Sequence, residues 1–298
     1  MRKSQLLSIA VLIGLLTMST TSKKKFGYKH AMKTLNGFCS YIPSGSVCLD
    51  LDTVSVQAFY MSETEITNLQ YAEFLYHLKK NGETEKYALA AVDTNRWNTA
   101  FENGYNEPMA QYYHKHPAYH KYPVVNVTRE GADLFCEWLS STYDTISNGE
   151  LKLKFRVPTR AEWLRAANGD LHLPTYSWGG PFISNAKGDE LANYLNLGSE
   201  HITRDEETGK YTIVRPLYGA IGSADLTALA ESYSPNGYGL YNMNGNVAEM
   251  ISDGDFAVGG SWNSPGYDIR NQSIKKFKGA HPTVGFRIVA THVGDIGN

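Results

Sequence analysis

The sequence predicts a single α+β domain that is rich in loops, and three observations carry that expectation. Capped, amphipathic helical patterns are confined to the stretch before residue 170. Residues 170–298 show almost no periodicity and are punctuated by Gly, Asn and Pro. There is no alternation of strands and helices and no glycine-rich phosphate loop, so a doubly wound parallel sheet is excluded. The 27 glycines and 20 tyrosines agree with this reading, glycine turning the loops and tyrosine packing them.

Each element has its own signal. GFCSYIPSGSVCL and the alternating VSVQAFYM place strands within residues 37–62. Thr67 and Gln70 have the spacing of a capping box, which opens a helix with Leu69, Phe74, Leu75 and Leu78 facing inward and Gly82 as its stop. Residues 83–122 read as irregular. A second helix starts near Thr128 and carries Ala132, Phe135, Trp138 and Leu139 on its apolar face. A third runs from Thr159, boxed by Glu162, to Gly169. With no internal repeat and no later linker, the expected organisation is an N-terminal segment (1–22), a linker (23–37) and one domain (38–292).

At its N-terminus, Arg2 and Lys3 precede an apolar run from Leu6 to Leu16. The run is short for a spanning helix, which needs about 20 residues, and suits an export signal. Lys23, Lys24 and Lys25 sit where export signals avoid positive charge, so an uncleaved membrane anchor is the rival reading. Either way the chain is expected outside the cytoplasm, in the periplasm or cell envelope. The net charge of −2 gives no electrostatic case for nucleic acid.

Of the three cysteines, Cys39 and Cys48 flank the turn IPSGS and are candidates for a disulfide. If the turn pairs Ile42 with Val47, however, Cys39 is only a diagonal neighbour of Cys48, a poor geometry for a bridge. Cys136, inside ADLFCEWL, reads as buried and inert. His114, His116 and His120 have a spacing that binds metal on a suitably shaped backbone, but no carboxylate or cysteine accompanies them. Asn242, Asn244, Asn246 and Glu249 crowd oxygen ligands around Gly245, a pattern that suits calcium and equally suits ordinary turns.

Eight segments then fall into one order: FYMSETEITNLQYAEFL (59–75), YPVVNVTREGADLFCEWL (122–139), FRVPTRAEWLRAANGD (155–170), YSWGG (176–180), ANY (192–194), NGYGLYNMNGNVAEM (236–250), GGSW (259–262) and GFR (285–287). In these motifs the chain resembles the formylglycine-generating enzyme, or sulfatase-modifying factor, family. The resemblance implies a compact domain with little regular structure, related to C-type lectin folds. It also implies structural calcium, held by Asn242, the backbone of Gly245 and Val247, and Glu249. A second calcium would begin at Asn193 and Tyr194 and continue near Asp225.

The family's enzymes oxidise a substrate cysteine through two copper-binding cysteines, three and eight residues after the GGS serine. Here those positions are Ser264 and Ile269, which cannot replace soft thiolates. No copper is therefore expected. Two further departures are Ala248, where the family pattern GNVWEW has tryptophan, and Val258, where it has arginine. FYMSETEITN, HPAYHKYPVVNV and GGSWNSPGY are most similar to the gliding-motility and type IX secretion lipoproteins of the GldK and GldJ type, which also lack the cysteine pair.

The reading that follows is a non-catalytic, exported component of envelope machinery. It would bind another envelope or secreted protein through a surface made of Trp262, Ser264, Tyr267, Asp268 and Arg270. An altered metal-dependent oxidoreductase or other enzyme, drawing on Ser264, Asp268, His281 and the histidine cluster, is the first rival. A lectin-type module using Tyr and Asn in residues 234–246 and 262–273 is the second.

Overall fold

The computed structural model describes residues 27–100, 108–197, 202–213 and 226–293. The proposed N-terminal signal and Asp225 lie outside them.

The three expected helices are present. The helix Asn68–Lys80 is opened by Thr67 and Gln70, each side chain bonding the other's backbone. It buries Tyr71, Phe74 and Leu78, while Leu69 and Leu75 are half-buried. The long helix Arg129–Ser147 is capped by Thr128, whose hydroxyl accepts from Gly131 N–H, and ends at Asn148 in the left-handed region. The helix Arg160–Asn168 carries a second full capping box, Thr159 with Glu162. Three further helices escaped the sequence reading: Tyr28–Leu35, Thr84–Ala90 and Met109–Tyr112. In chain order the six among the described residues are α1 (Tyr28–Leu35), α2 (Asn68–Lys80), α3 (Thr84–Ala90), α4 (Met109–Tyr112), α5 (Arg129–Ser147) and α6 (Arg160–Asn168).

Within the stretch read as a linker, Tyr28–Leu35 is therefore helical. Ala31 and Leu35 of α1 are fully buried in the main core, so the packed domain begins earlier than residue 38.

Two four-stranded sheets organise the strands. The first has the order β1 (Cys39–Ile42), β4 (Phe59–Ser62), β12 (Val289–His292), β5 (Leu153–Arg156), all antiparallel. The second has the order β10 (Ile274–Lys276), β9 (Phe256–Val258), β8 (Ala248–Met250), β11 (Val284–Gly285), with only the last pair parallel. Between β1 and β4, β2 (Gly45–Leu49) and β3 (Asp52–Val56) form a separate hairpin, and β6 (Ile202–Arg204) and β7 (Tyr211–Ile213) form another. The turn expected to pair Ile42 with Val47 therefore does not form. Because β1 and β2 pair with different strands, Cys39 and Cys48 do not face each other, and both are free thiols.

The main core lies between α2, α5 and the first sheet. Its centre is aromatic: Tyr71 stacks on Phe135 at 5.9 Å, and Phe286 meets Phe135 edge-on at 5.6 Å. Cys136 is buried there, as expected, and burial pushes its thiol well above the ordinary range.

Polar groups tie the two sheets together. Arg287 is fully buried, and its guanidinium donates to Glu249 Oε1 and Oε2 at 2.8–3.0 Å, to Ser62 O and to Tyr241 O. Trp163 Nε1 also donates to Glu249 Oε2, at 2.6 Å. One buried ion pair thus joins β4, α6, β8 and the 241 turn. Glu65 lies alongside, fully buried, accepting from Asn246 Nδ2 at 2.9 Å and Asn242 Nδ2 at 3.4 Å. Burial pushes the Glu65 carboxyl up from 4.5 to about 8, with Arg287 opposing the rise and Glu249 adding to it.

Two outcomes follow from this cluster. Replacing Arg287 by Met leaves the Glu249 carboxylate buried without its counter-ion and is expected to cost about 3–5 kcal/mol in urea unfolding; adding Glu249→Gln should recover part of the loss. Glu65 holds its proton in the native state between pH 4.5 and about 8, where the unfolded chain has released it. Native protein therefore binds more protons across that window, and this group's contribution to stability is lost as pH rises through it. Unfolding midpoints measured against pH should show that decline in the wild type and a flatter profile in Glu65→Gln.

Candidate functional site

The stretch from Ala257 to Val289 builds one wall of a cavity of about 560 Å³. β9 leads into Gly259–Gly260, then a tight loop to Ile269, then β10. Gly260 has φ +66°, and a Cβ there would lie 2.7 Å from Asp268 O, so only glycine lets the loop close on itself. Ser264 Oγ accepts from Ser261 N–H at 3.1 Å, which fixes the loop's near end.

Three strands supply the floor. Ala257 pairs with Met250 across β8–β9, and Val284 pairs with Ala248 across β8–β11. Successive strand side chains alternate between faces, so Ala248, Ala257 and Val284 share one face of the second sheet. All three line the cavity. Ala248 stands where the family pattern carries tryptophan, and a large ring there would occupy this space.

Of the two positions that the resemblance matches to the family's copper-binding thiols, one is at this cavity and the other is not. Ser264 lines the cavity, and its hydroxyl lies 3.1 Å from Ser261 Oγ. Ile269 is fully buried against Tyr176, Ala192 and Tyr194. Cys39, Cys48 and Cys136 do not line the cavity.

The expected binding surface is only partly a surface. Tyr267 is 70% exposed, and Arg270 lies over its ring with the guanidinium carbon 3.3 Å from the centroid. Asp268 is exposed as well. Trp262 is not: it packs with Trp97, Tyr113, Val125 and Val247, and its Nε1 donates to Pro282 O. An indole hydrophobic enough to anchor a partner is here used to anchor the loop itself.

Ser264, Asp268 and His281, weighed together as a source of altered chemistry, do converge on the cavity. They are not wired as a nucleophile and base. His281 Nδ1 lies 2.7 Å from Thr283 Oγ1 and accepts from Thr283 N–H, while Ser264 bonds within its own loop. Because Nδ1 is an acceptor from that backbone N–H, the neutral ring carries its proton on Nε2. Burial, then the charges of Lys275 and Arg96, hold His281 below the usual imidazole range.

The histidine cluster does not gather. His114 is turned inward against Asn68 Oδ1, and burial drives its pKa down to about 3. His116 instead accepts from Ala118 N–H at the start of a short 3-10 turn, Pro117–Tyr119. Among the described residues no group of three His, Cys, Asp or Glu side chains is placed to hold a metal.

Calcium can be tested against the oxygens actually available. Within the set Asn242–Glu249 the one carboxylate, Glu249, is already engaged by Arg287 and Trp163, and Asn242 directs its Nδ2 to Glu65 and to the carbonyls of Leu229 and Ala230. As arranged, Asn242, Gly245, Val247 and Glu249 do not fit a calcium ion, which needs uncommitted carboxylate oxygen. Gly245 is required for a different reason. A Cβ there would collide with Asn193 O, which accepts from Asn246 N–H at 2.7 Å.

Asn193 is different. Its Nδ2 donates to Leu226 O and Asn246 Oδ1, while its Oδ1 is buried with no partner. An orphaned carbonyl oxygen of this kind fits a cation ligand. Tyr194 bonds to Glu190 through its hydroxyl.

Residues the sequence reading passed over complete the cavity. Lys275, Lys276 and Lys278 line it, as does Asn263, whose Oδ1 is buried without a partner. The run KKFK was a visible signal, but in sequence it is indistinguishable from a solvated edge strand.

The sulfatase-modifying factor enzyme 1-like domain matches residues 30–292. Formylglycine-generating enzyme from Bos taurus is 26% identical over 67% of this chain and 50% of its own length. The Streptomyces coelicolor enzyme is 26% identical over 74% of this chain and 63% of its own. Inactive C-alpha-formylglycine-generating enzyme 2 of Bos taurus is 22% identical over 76% and 66%. The chain thus spans about half the length of the first of these relatives. Among solved structures, PvdO from Pseudomonas aeruginosa superposes with a TM-score of 0.54 at 18% identity, over 84% of this chain and 92% of that one. Treponema denticola variable protein 1 does so with 0.52 at 19%, over 84% and 94%. These two likenesses establish the fold. With a family match across nearly the whole described domain, the chain belongs to the sulfatase-modifying factor enzyme 1-like family.

Proposed function

We propose that this chain is a non-catalytic member of its family, an exported structural component of the cell envelope of the gliding-motility or type IX secretion kind. It docks another envelope or secreted protein on the exposed loop of Tyr267, Asp268 and Arg270. The observation that carries the non-catalytic reading is the pair Ser264 and Ile269, a hydroxyl tied to Ser261 and a buried hydrocarbon where the family's copper chemistry needs two thiolates. The relative named as inactive supports a non-catalytic branch within the family. Export rests on the apolar run Leu6–Leu16 behind Arg2 and Lys3. Among the described residues no helix is long and apolar enough to cross a membrane.

Copper titration with a thiol-containing peptide as substrate tests the first part. The expected result is no stoichiometric copper(I) and no aldehyde product; turnover would overturn the reading and point to altered chemistry at Ser264, Asp268 and His281. Crosslinking in envelope fractions tests the second. A specific protein should be recovered with the wild type and lost with Tyr267→Ala combined with Arg270→Ala, and recovery indifferent to both changes would remove the docking loop from consideration.

Calcium belongs to the same proposal, at Asn193 rather than at Glu249. If Asn193 Oδ1 holds the ion, calcium at about 100 times its Kd adds about 3 kcal/mol to the unfolding free energy. Chelator should remove that increment in the wild type and change little in Asn193→Ala. A chelator effect equal in both would place the ion elsewhere.

A further inference from the structure

The cavity has features that a protein-docking loop does not require. Its 560 Å³ lies within the range of small-molecule sites, about 300–1,000 Å³. The floor of Ala248, Ala257 and Val284 is apolar and nearly flat, since small side chains on one sheet face leave no ridges. Phe277, half-buried, borders it.

Above that floor the lining is polar and carries an excess of positive charge. Lys275, which pairs with Ala257 on the cavity face, and Lys278 share the lining with a single carboxylate, Asp268. Neither of these two ammonium groups makes an ion pair among the described residues, whereas Lys276 turns to the opposite face of the sheet, 5.5 Å from the centre of the Phe256 ring. Ser264 and Ser273 add hydroxyls to the wall.

We propose that this cavity binds a small polyhydroxylated anion, a sugar acid. Each part of such a ligand has a complement in the lining. The carboxylate takes the lysines through charge-assisted bonds. Ring hydroxyls meet Ser264 and Ser273. The C–H face of the ring covers Ala248, Ala257 and Phe277. Inorganic phosphate would meet the lysines alone and leave the apolar floor uncovered. A neutral sugar would meet the wall and floor and leave the lysines without a counter-charge. Where the family pattern keeps tryptophan at 248, the ring would fill the space this ligand needs.

Titration calorimetry on the full chain tests the site with D-glucuronate, D-glucose and inorganic phosphate as probes. Glucuronate should bind with a Kd of about a millimolar or below, and glucose and phosphate at least about tenfold more weakly. Lys275→Gln with Lys278→Gln, two exposed positions where folding is not at stake, should weaken glucuronate about tenfold or more and leave the thermal melt unchanged. Ala248→Trp should abolish binding by filling the cavity. No heat with glucuronate, equal affinity for phosphate, or glucuronate binding unaffected by the double lysine variant would each overturn the inference. The docking loop's Tyr267 and Arg270 are untouched by these variants, so failure here leaves the partner reading to its own crosslinking test.

Discussion

Everything else in this domain is arranged around the ion pair of Arg287 and Glu249. A guanidinium and a carboxylate removed from water are tolerable only when each finds its full set of partners. Here Arg287 reaches Glu249, Ser62 O and Tyr241 O, and Glu249 receives Trp163 as well. Those partners lie on a strand of the first sheet, a turn, a strand of the second sheet and a helix. A domain with so little regular structure has few long interfaces to hold its parts in register, and a directional polar cluster at the centre supplies that register. It also explains why Glu249 is not at liberty to hold calcium.

The cavity follows from what has been taken away around this fixed centre. β8 places Glu249 on one face and Ala248 on the other. The first face is committed to the ion pair. The second is freed, because an alanine stands where the family pattern has tryptophan. Ser264 and Ile269 occupy the thiol positions without the thiols. Beside them lies a hollow whose floor, Ala248, Ala257 and Val284, also belongs to the main core, with Lys275 on its edge strand.

The helices announced by chemistry of their own were legible in the sequence: Thr67 with Gln70, Thr128, and Thr159 with Glu162 are local signals that need no tertiary context. The helix Tyr28–Leu35 was not, since its N-cap Gly27 makes no side-chain bond and its burial depends on residues far along the chain. The strands were harder again. IPSGS looked like a hairpin turn, yet Ile42 pairs with Phe59 and Val47 with Val54, a choice made by long-range packing. At the site, the order of the motifs located the loop, and Ser264 and Ile269 could be read directly. Trp262 and Glu249 could not, because a sequence names a residue without saying whether its partner is solvent, a ligand or another part of the same chain.

The position of the last strand has a further consequence. Val289–His292 lies inside the first sheet, between Phe59–Ser62 and Leu153–Arg156, with a register to both. Those two flanking strands share no ladder with each other, so the first sheet is one sheet only through this strand. It is a zip between a strand from the first quarter of the domain and one from its middle. Deleting Val289–His292 would part the sheet into two pieces rather than trim an edge from it.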